Sequence, residues 1–511
     1  MSPRARSVAD DADPPADLIV VGGGINGAAI ARDAAGRGLA TVLVEQDDLA
    51  SHTSSASSKL IHGGLRYLEH GEFALVRKAL AEREVLLRAA PHLVRLQEFV
   101  LPLVSGMRPA WMLRAGLFLY DRLAQRERVP GSTAIDLRCH AGGAPLRAGL
   151  ERGFVYHDAW TDDARLVVAN ALDCVERGGS VLTHTRCESA EREQGHWLVK
   201  LADSAGRRYS LRARALVNAT GPWATRFLAL QLRRRGGHAM RLVRGSHIVV
   251  PALYSQRHAY ILQQPDRRVV FAIPYQGGYT LIGTTEVEHR GDPALAEASH
   301  DEIAYLCAAA NRSFAREISP LDVVWQFAGV RPLFDDQEAA ASSASRDYAL
   351  ELDDDGAPLL NVFGGKLTTH RALAEEALNR LAPLLGCGAG PWTTRASLPG
   401  GDMPDSDFEA YSHQMARSFD WLPAPLLMRW LGAYGTRVEQ LIDDAASIDG
   451  LGEELLPGLF AIELQHLARR EWARSGEDVL WRRTKLGLTL PLAQRTPGAE
   501  RIDRALAELR V

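Results

Sequence analysis

The sequence predicts a multidomain α/β protein, in which a nucleotide-binding βαβ unit is followed by short antiparallel strands and a helical C-terminal region. Three observations support this fold class. The chain has 511 residues, too many for one core and enough for roughly two to four domains. An apolar, β-branched run at 17–21 leads directly into a glycine-rich turn and a helix. Residues 397–511 show helical periodicity, at 426–441 and 458–474, and few strand signals.

The composition excludes several classes of protein. Apolar residues make up 46% of the chain and charged residues 24%, which excludes a collagen-like or wholly disordered chain. The formal charge of −4 provides no basic field for nucleic acid. The five cysteines are scattered without a C-x-x-C pair, which predicts a reducing compartment, no disulfide framework and no metal site. There is no run of about 18 apolar residues, so no helix is expected to span a membrane.

The first motif consists of a strand, a G-x-G-x-x-G turn, a helix and a second strand that ends in an acid. Gly22 permits the tight turn, Gly24 lets the backbone approach a pyrophosphate, and Gly27 lets the helix pack on the strand. The helix N-terminus, which includes Asn26, offers free N–H groups to phosphates, and Glu45 can accept hydrogen bonds from a ribose. We assign these five residues to a dinucleotide; the motif alone does not separate FAD from NAD.

The second motif is a serine-rich loop at 54–68. A run this small and polar makes a poor core, but its hydroxyl and backbone N–H groups suit a loop that lies against a polar ligand. A solvated loop with a satisfied histidine is the alternative. Arg66 and Tyr67 come near His62 if a helix starts after Gly64. The loop residues assigned to the cofactor are Ser57, Ser58, Lys59, His62 and Gly63.

Two later segments complete the predicted nucleotide site. The run 215–221 is a strand that ends in a glycine turn, and 358–369 is a strand followed by a Gly-Gly pair and a probable helix start. In a flavoprotein, a helix N-terminus at this late position stabilises negative charge on the pyrimidine edge of the reduced flavin. A nicotinamide site has no need of it, so this motif favours FAD. The residues assigned here are Gly221, Gly364, Gly365, Lys366, Leu367 and Thr368.

Together these segments resemble the FAD-dependent glycerol-3-phosphate dehydrogenases of the aerobic, respiratory type. The resemblance covers 17 to about 490 and depends most on SSKLIHGGLRYLE and FGGKLTT, with NATGPW, GSHIVVP, GTT and GVRPL between them. It implies an FAD-binding Rossmann-like domain of the D-amino-acid-oxidase kind, an antiparallel β substrate domain and a helical C-terminal domain. It also implies a cytoplasmic protein that is attached peripherally to the inner face of the cell membrane and delivers electrons to a membrane quinone.

The pattern along the chain agrees with this organisation. The β-type runs 247–250, 259–263, 268–274 and 278–283 predict an antiparallel substrate region. A strand at 154–157 and a helix at 162–177 are predicted to return the chain to the FAD-binding domain, and 337–345 to form a surface loop. The predicted units are a disordered tail at 1–16, an FAD-binding domain at 17–90, 151–228 and 318–396, a substrate-binding domain at 91–150 and 229–317, and a helical domain at 397–511.

The resemblance implies that the substrate is sn-glycerol 3-phosphate, which gives dihydroxyacetone phosphate when hydride passes from C2 to FAD. A small ester with about two negative charges needs cations and directed donors. Arg66, Arg331 and Lys366 match the family pattern, and the two arginines are expected to hold the phosphate. The polar neighbours carried over from the family are Tyr67, His247 and Thr284.

The reaction also needs a base, because the hydroxyl proton must leave as hydride is removed from carbon. His62 is the first candidate, since an unperturbed histidine titrates near neutrality. His247 and a Lys366 whose pKa is lowered by neighbouring cations are alternatives. The predicted catalytic residues are His62, Arg66, Arg331 and Lys366.

The membrane, the electron acceptor and the oligomeric state are less constrained. The segment 106–123 has the pattern of a basic amphipathic helix for an anionic lipid surface, although a core-packed helix with surface arginines is the alternative. A basic cluster at 232–235 suits a solvated loop better than a lipid contact. An oxidase that passes electrons to oxygen, an amine or amino-acid oxidase of the same fold, and a catalytically silent flavin- or lipid-binding protein remain open. We also consider a homodimer, which the sequence does not decide.

Overall fold

Most strands belong to two large sheets in the computed structural model, which describes residues 14–234, 240–334, 347–443 and 445–509. The predicted tail at 1–16 lies outside these residues except for its last three, and Ala16 already begins the first strand. The predicted loop at 337–345 lies wholly outside them.

In the described part of the chain, the strands are β1 (Ala16–Val21), β2 (Thr41–Val44), β3 (Leu60–Ile61), β4 (Val94–Pro102), β5 (Thr133–Asp136), β6 (Arg152–Thr161), β7 (Ser180–Leu182), β8 (Thr185–Glu193), β9 (His196–Asp203), β10 (Arg208–Asn218), β11 (Met240–Pro251), β12 (Ala259–Gln263), β13 (Val269–Tyr275), β14 (Tyr279–Gly283), β15 (Val287–Glu288), β16 (Trp325–Phe334), β17 (Ala349–Asp353), β18 (Leu359–Phe363), β19 (Glu454–Leu456) and β20 (Leu459–Phe460). The helices are α1 (Ile25–Gly36), α2 (Phe73–Ala89), α3 (Ala110–Tyr120), α4 (Asp163–Glu176), α5 (Ala224–Leu230), α6 (His300–Asn311), α7 (His370–Leu381), α8 (Phe408–Ser418), α9 (Ala424–Tyr434), α10 (Val438–Ile442), α11 (Ala461–Arg470) and α12 (Leu492–Glu508).

The first sheet has parallel strands at its centre. Its order is β17-β18-β10-β1-β2-β7. In addition, β9 pairs antiparallel with β10, and β8 pairs antiparallel with β9. Val21 at the end of β1 lies beside Asn218 of β10 and Val44 of β2, so the carboxyl ends of these strands meet at one edge. Buried apolar residues of α1, α4 and α7 cover one face of the sheet. Open parallel sheets bind ligands at the edge where the carboxyl ends of their strands meet.

The second sheet has the order β15-β11-β14-β13-β12-β4-β6-β3, with β16 on β11 and β5 on β6. The predicted antiparallel region is confirmed, because β11, β14, β13 and β12 pair antiparallel in that order. Helix α6 packs against one face of this sheet. It begins at a capping box, in which Ser299 and Glu302 satisfy each other's backbone N–H groups.

The strand predicted at 154–157 forms as part of β6, which does not join the nucleotide-binding sheet. β6 pairs antiparallel with β4, with Tyr156 opposite Phe99, and therefore belongs to the second sheet. A short apolar run does not identify its partner, which comes from a distant part of the chain. The helix predicted at 162–177 is confirmed as α4, where the Asp162 side chain caps the N-terminus by accepting from the Arg165 N–H. The predicted domain boundaries remain a proposal.

The C-terminal region is mainly helical and has its own core around the fully buried Trp430. The helix predicted at 426–441 is divided by Gly435, whose φ of +55° ends α9 before α10 begins. A buried ion pair joins this region to α4, because the Arg165 guanidinium donates to both Glu471 carboxylate oxygens. Lys485 adds a second link through its Nζ, 2.8 Å from an Asp162 oxygen. No helix among the described residues is long and apolar enough to cross a membrane.

Replacing Glu471 with glutamine should lower the free energy of unfolding by about 3–5 kcal/mol, because it leaves the buried Arg165 charge without its partner. The Arg165 charge holds the pKa of Glu471 well below its usual 4.5. The pair therefore stabilises the folded chain above that pH and loses its effect as the pH falls through the folded pKa. Urea unfolding at pH 7 and at lower pH tests this, and the difference between wild type and variant should shrink in acid.

The matched control is Glu453→Gln. Glu453 pairs with Arg501 on the surface, where both side chains are about half exposed or more. Its loss should cost no more than about 1 kcal/mol. Equal destabilisation by both variants would contradict the role assigned to the Arg165–Glu471 pair.

Candidate active site

A cavity of about 1020 Å³ opens at the carboxyl ends of the parallel strands β1, β2 and β10. All three predicted motifs contribute to its wall. The cavity volume lies at the upper end of the range for small-molecule sites, which leaves room for a dinucleotide and a small second ligand. The predicted residues that line it are Gly22, Gly24, Asn26, Glu45, Ser57, Ser58, His62, Gly63, Arg66, Tyr67, Gly221, Thr284, Arg331, Gly364, Gly365, Lys366, Leu367 and Thr368.

The three glycines of the first motif have different surroundings. Gly22 has a φ of +115°, and a Cβ there would lie 2.4 Å from the Ala219 carbonyl oxygen. Gly27 does not line the cavity; a Cβ there would lie 1.9 Å from the Gly22 carbonyl oxygen, so the helix packs closely on the turn. Gly24 borders the cavity, and a Cβ there would meet only the Ser54 hydroxyl, at 3.1 Å. Gly22 and Gly27 therefore shape the turn, whereas Gly24 keeps space clear for a ligand.

The start of α1 fits the pyrophosphate of FAD. Asn26 donates from Nδ2 to the Gly364 carbonyl oxygen at 3.1 Å, while its buried Oδ1 has no hydrogen-bond partner among the described residues. The Ile25 N–H donates to the Ser54 hydroxyl at 3.0 Å, which brings the serine-rich loop against the helix N-terminus. An unpartnered buried amide oxygen beside free helix N–H groups is the environment expected around a bound polar ligand.

Glu45 lies at the end of β2, where the second strand of the motif reaches the cavity. One carboxylate oxygen accepts from the Gly23 N–H at 2.6 Å and the other from the Asp47 N–H at 2.9 Å. Burial raises the pKa of this carboxyl. A carboxylate has about four acceptor positions, so Glu45 can both brace the glycine turn and accept from a ribose.

Asp163, at the start of α4, holds the serine-rich loop in place. The Ser57 hydroxyl donates to Asp163 at 2.7 Å, and the Lys59 Nζ lies 2.7 Å from the other oxygen of the same carboxylate. Lys59 also donates to the Ser55 carbonyl oxygen and is 1% exposed. Lys59 is not among the residues that line the cavity, and its side chain is held in this buried ion pair. Nothing in the sequence near the loop marks Asp163, which is distant in the chain.

His62 is a half-buried residue on the cavity wall. Burial, together with the positive charges of Lys366 and Arg331, lowers its pKa to about 4, so the imidazole is neutral at physiological pH. The next residue is fixed by a buried network, in which the Gly63 N–H donates to the Tyr120 hydroxyl at 2.8 Å and that hydroxyl donates to Asp158. The loop therefore presents a neutral histidine in a defined place.

Three cationic side chains converge on this part of the cavity. Arg331 donates from Nη2 to the Thr284 hydroxyl at 3.0 Å, and an Arg66 nitrogen lies 3.7 Å from a carboxylate oxygen of Glu286. The Lys366 Nζ lies 4.2 Å from the centre of the Tyr67 ring, and burial lowers its pKa. This arrangement can bind a small dianion.

His247, which the resemblance places near the substrate, lies behind the serine-rich loop. It is not among the residues that line the cavity; its Nε2 lies 2.9 Å from the Ser58 hydroxyl, and its ring stacks on Phe327. Burial lowers its pKa well below the usual range. His247 thus supports the serine-rich loop from the second sheet. Glu286, two residues after Thr284, also lies on the cavity wall, although no motif in the sequence marks it.

The third motif is the late strand, Gly-Gly pair and helix start at 358–369, and its glycine pair lies on the cavity wall as predicted. Gly364 and Gly365 line the cavity next to Asn26, but the α-helix begins only at His370, after one short 3₁₀ turn. The Thr368 hydroxyl lies 3.3 Å from the His62 N–H, which joins the third motif to the second.

Comparison with known proteins agrees with this geometry. The model of the FAD dependent oxidoreductase family matches residues 17–371, and that of the C-terminal domain of alpha-glycerophosphate oxidase matches 391–503. A glycerol-3-phosphate dehydrogenase of Pseudomonas aeruginosa is 54% identical over 480 residues, which is 94% of this chain and 93% of that protein. A D-erythritol 1-phosphate dehydrogenase of Brucella abortus is 46% identical over 96% of this chain and 98% of that protein.

Among solved structures, the glycerol-3-phosphate dehydrogenase of Bacillus halodurans complexed with FAD is similar with a TM-score of 0.75 and 28% identity. The alignment covers 97% of this chain and 91% of that chain. The fold is that of the FAD-binding oxidoreductases with an added C-terminal domain, and the cofactor is FAD.

Replacing Gly24 with valine should give a folded but colourless protein, because the added side chain fills the space kept clear for the FAD phosphates. The ratio of flavin to protein absorbance measures bound FAD, and circular dichroism reports the fold. Gly388→Val is the control, since a Cβ at Gly388 meets no atom within 4 Å. A yellow, fully loaded Gly24→Val protein would refute the assignment.

Proposed function

This chain belongs to the family of FAD-dependent glycerol-3-phosphate dehydrogenases, and from that premise we propose that it oxidises sn-glycerol 3-phosphate to dihydroxyacetone phosphate and passes the electrons to a membrane quinone. The observation that carries this proposal is that Arg66, Arg331 and Lys366 line one cavity together with the neutral His62, whose pKa the charges of Lys366 and Arg331 help to lower. An amine or amino-acid oxidase needs a cation for one carboxylate, whereas three cations suit a phosphate dianion.

The cations have separate roles in this proposal. Arg331 is held by Thr284, so its planar guanidinium can present two parallel N–H groups to phosphate oxygens. An Arg66 nitrogen lies 3.7 Å from a Glu286 carboxylate oxygen, which is too far for a hydrogen bond. Arg66 can therefore move from that carboxylate to the substrate. Binding the phosphate in one place fixes C2 of a three-carbon ester relative to the cofactor.

The bound FAD supplies the hydride acceptor. His62 is neutral before substrate binds and can accept the proton of the C2 hydroxyl. The phosphate dianion offsets the charges of Lys366 and Arg331 that depress the pKa of His62, so binding raises this pKa and improves the base. Lys366, which lines the cavity and whose pKa is also lowered, is the alternative base that we favour over His247, which does not line it.

D-erythritol 1-phosphate is a second candidate substrate, because a relative named for its oxidation is 46% identical to this chain. Its phosphate needs the same three cations, and its extra carbon and hydroxyl need more room at the end of the substrate away from the phosphate. Comparing kcat/KM for the two esters decides between them. A higher value for the four-carbon ester would change the substrate and leave the chemistry intact.

Apolar residues of the cavity wall support a quinone as the electron acceptor. Leu113, Tyr156, Ile261 and Phe271 line the cavity and belong to one hydrophobic cluster, which we call the apolar arm. A quinone ring, like the flavin ring, needs an apolar surface of this kind. An oxidase that passes electrons to oxygen is the rival, because oxygen is small enough to use any open path.

Helix α3, which carries Leu113, supports attachment to a lipid surface. Its buried face consists of Leu113, Leu117 and Tyr120, while Trp111 is 72% and Phe118 49% exposed. The prediction of a core-packed helix at 106–123 fits the buried side of α3, and the prediction of a lipid-facing helix fits its exposed side. Arg122 stacks on Phe118 at 3.7 Å, which places a cation beside the exposed aromatics. This pattern suits an anionic membrane surface at the inner face of the cell membrane.

Replacing Arg331 with alanine should lower kcat/KM for sn-glycerol 3-phosphate by roughly 100-fold, mainly through KM, because the phosphate loses a charged partner. FAD should remain bound. Arg290→Ala is the control, since Arg290 is largely exposed and, among the described residues, has an ion pair with Glu288 alone. An unchanged KM in Arg331→Ala would remove this arginine from the phosphate site.

Replacing Leu113 with glutamine should slow the reduction of a soluble quinone analogue without slowing anaerobic reduction of the flavin by substrate, because it makes the apolar arm polar. Leu119→Gln on the exposed face of α3 is the control. Wild-type protein should reduce the analogue faster than it releases peroxide in air. Fast peroxide release with slow analogue reduction would favour the oxidase.

A further inference from the structure

A second cavity lies far from the chemistry described above, between the first sheet and the C-terminal helices. Its volume is about 570 Å³, within the range of small-molecule sites. One wall is formed by β2, β7 and β10 with the end of α4, and the opposite wall by residues of α9 and α11. Junctions of this kind are common places for ligands. We call it the rear cleft.

The rear cleft has an excess of positive charge. Six arginines and only two carboxylates, Glu176 and Glu471, line it among the described residues. Four of the arginines have ion pairs: Arg437 with Glu176, Arg165 with Glu471, Arg207 with Asp203 and Arg212 with Glu193. Arg469 and Arg470 at the end of α11 are exposed, and neither has an ion pair within the described part of the chain. These two cations therefore remain available to an anion.

A buried polar atom also points to a ligand. His92 lines the rear cleft and is 1% exposed, yet its Nδ1 has no hydrogen-bond partner in the described residues. Burial with the nearby Arg165 charge lowers the pKa of His92 to about 3, so the ring is neutral and offers one hydrogen bond. Buried polar groups in native proteins normally have a partner, which a bound molecule would supply here.

The remaining surface of the rear cleft is apolar and aromatic. Leu172, Val181 and Leu211 form part of it, and the rings of Tyr209 and Trp472 contribute half-buried aromatic surface. A three-carbon phosphate would leave most of this surface uncovered, so the cleft is not suited to a second molecule of the enzyme's own substrate or product. A flat apolar ring joined to several negative charges would cover it.

We propose that the rear cleft binds a nucleoside polyphosphate, with the phosphates at Arg469 and Arg470 and the base against Trp472 and Tyr209. The phosphates gain charge-assisted hydrogen bonds from guanidinium groups, and the base gains apolar and stacking contact. The nucleotide would bridge the first sheet and the C-terminal region, and so would stabilise the folded chain in proportion to its concentration.

Calorimetric titration of the FAD-loaded protein with ATP, at low ionic strength, tests the proposal. Wild type should bind ATP and should not release FAD. The double variant Arg469→Ala/Arg470→Ala should bind at least about tenfold more weakly, because both residues are exposed and their loss removes two cations from the cleft. The matched control Arg501→Ala/Arg504→Ala removes the same charge from the exposed face of α12, away from the cleft, and should bind like wild type.

Two further probes separate the parts of the proposal. Pyrophosphate should bind more weakly than ATP, because it lacks the ring, and Trp472→Phe should reduce the quenching of tryptophan fluorescence by ATP. The proposal is overturned if wild type does not bind ATP, if the two double variants bind equally, or if pyrophosphate or dodecyl phosphate binds as tightly as ATP.

Discussion

The active site depends on one electrostatic constraint: cationic side chains must lie close to a half-buried histidine in the same cavity. Arg66, Arg331 and Lys366 line this cavity together with His62, and an Arg66 nitrogen lies 3.7 Å from a carboxylate oxygen of Glu286. Burial and the charges of Lys366 and Arg331 lower the pKa of His62 to about 4, so the imidazole is neutral at physiological pH. In the proposed mechanism, a dianionic substrate offsets these charges, which raises the pKa of His62 and makes it a stronger base.

The surrounding structure maintains this arrangement through buried polar contacts from distant parts of the chain. Asp163 of α4 holds the serine-rich loop through Ser57 and Lys59. On the other side, the hydroxyl of Tyr120 accepts from the Gly63 N–H next to His62. Each contact satisfies a group that would otherwise be buried without a partner, so the loop has one favoured position. In the proposed reaction, such rigidity keeps the base beside the C2 hydroxyl proton while hydride leaves C2.

The sequence predicted well those features that depend on local spacing. The roles of Gly22 and Gly24 follow from the geometry of one turn, and the antiparallel meander follows from alternating runs and turns. It predicted poorly those features that depend on a distant partner. Lys59 is a cation in a ligand-binding loop, but its partner Asp163 comes from another helix. His247 lies in a motif that the resemblance assigned to substrate, yet Ser58 and Phe327 enclose it.

We propose that this cationic pocket presents a phosphate ester of glycerol to a bound flavin. The decisive experiment mixes the FAD-loaded protein anaerobically with sn-glycerol 3-phosphate and follows absorbance in the visible flavin band. Rapid bleaching is expected with the ester and almost none with the same concentration of glycerol, which lacks the charge that the three cations bind. A flavin that stays oxidised with the ester, or that bleaches equally with glycerol, would contradict it.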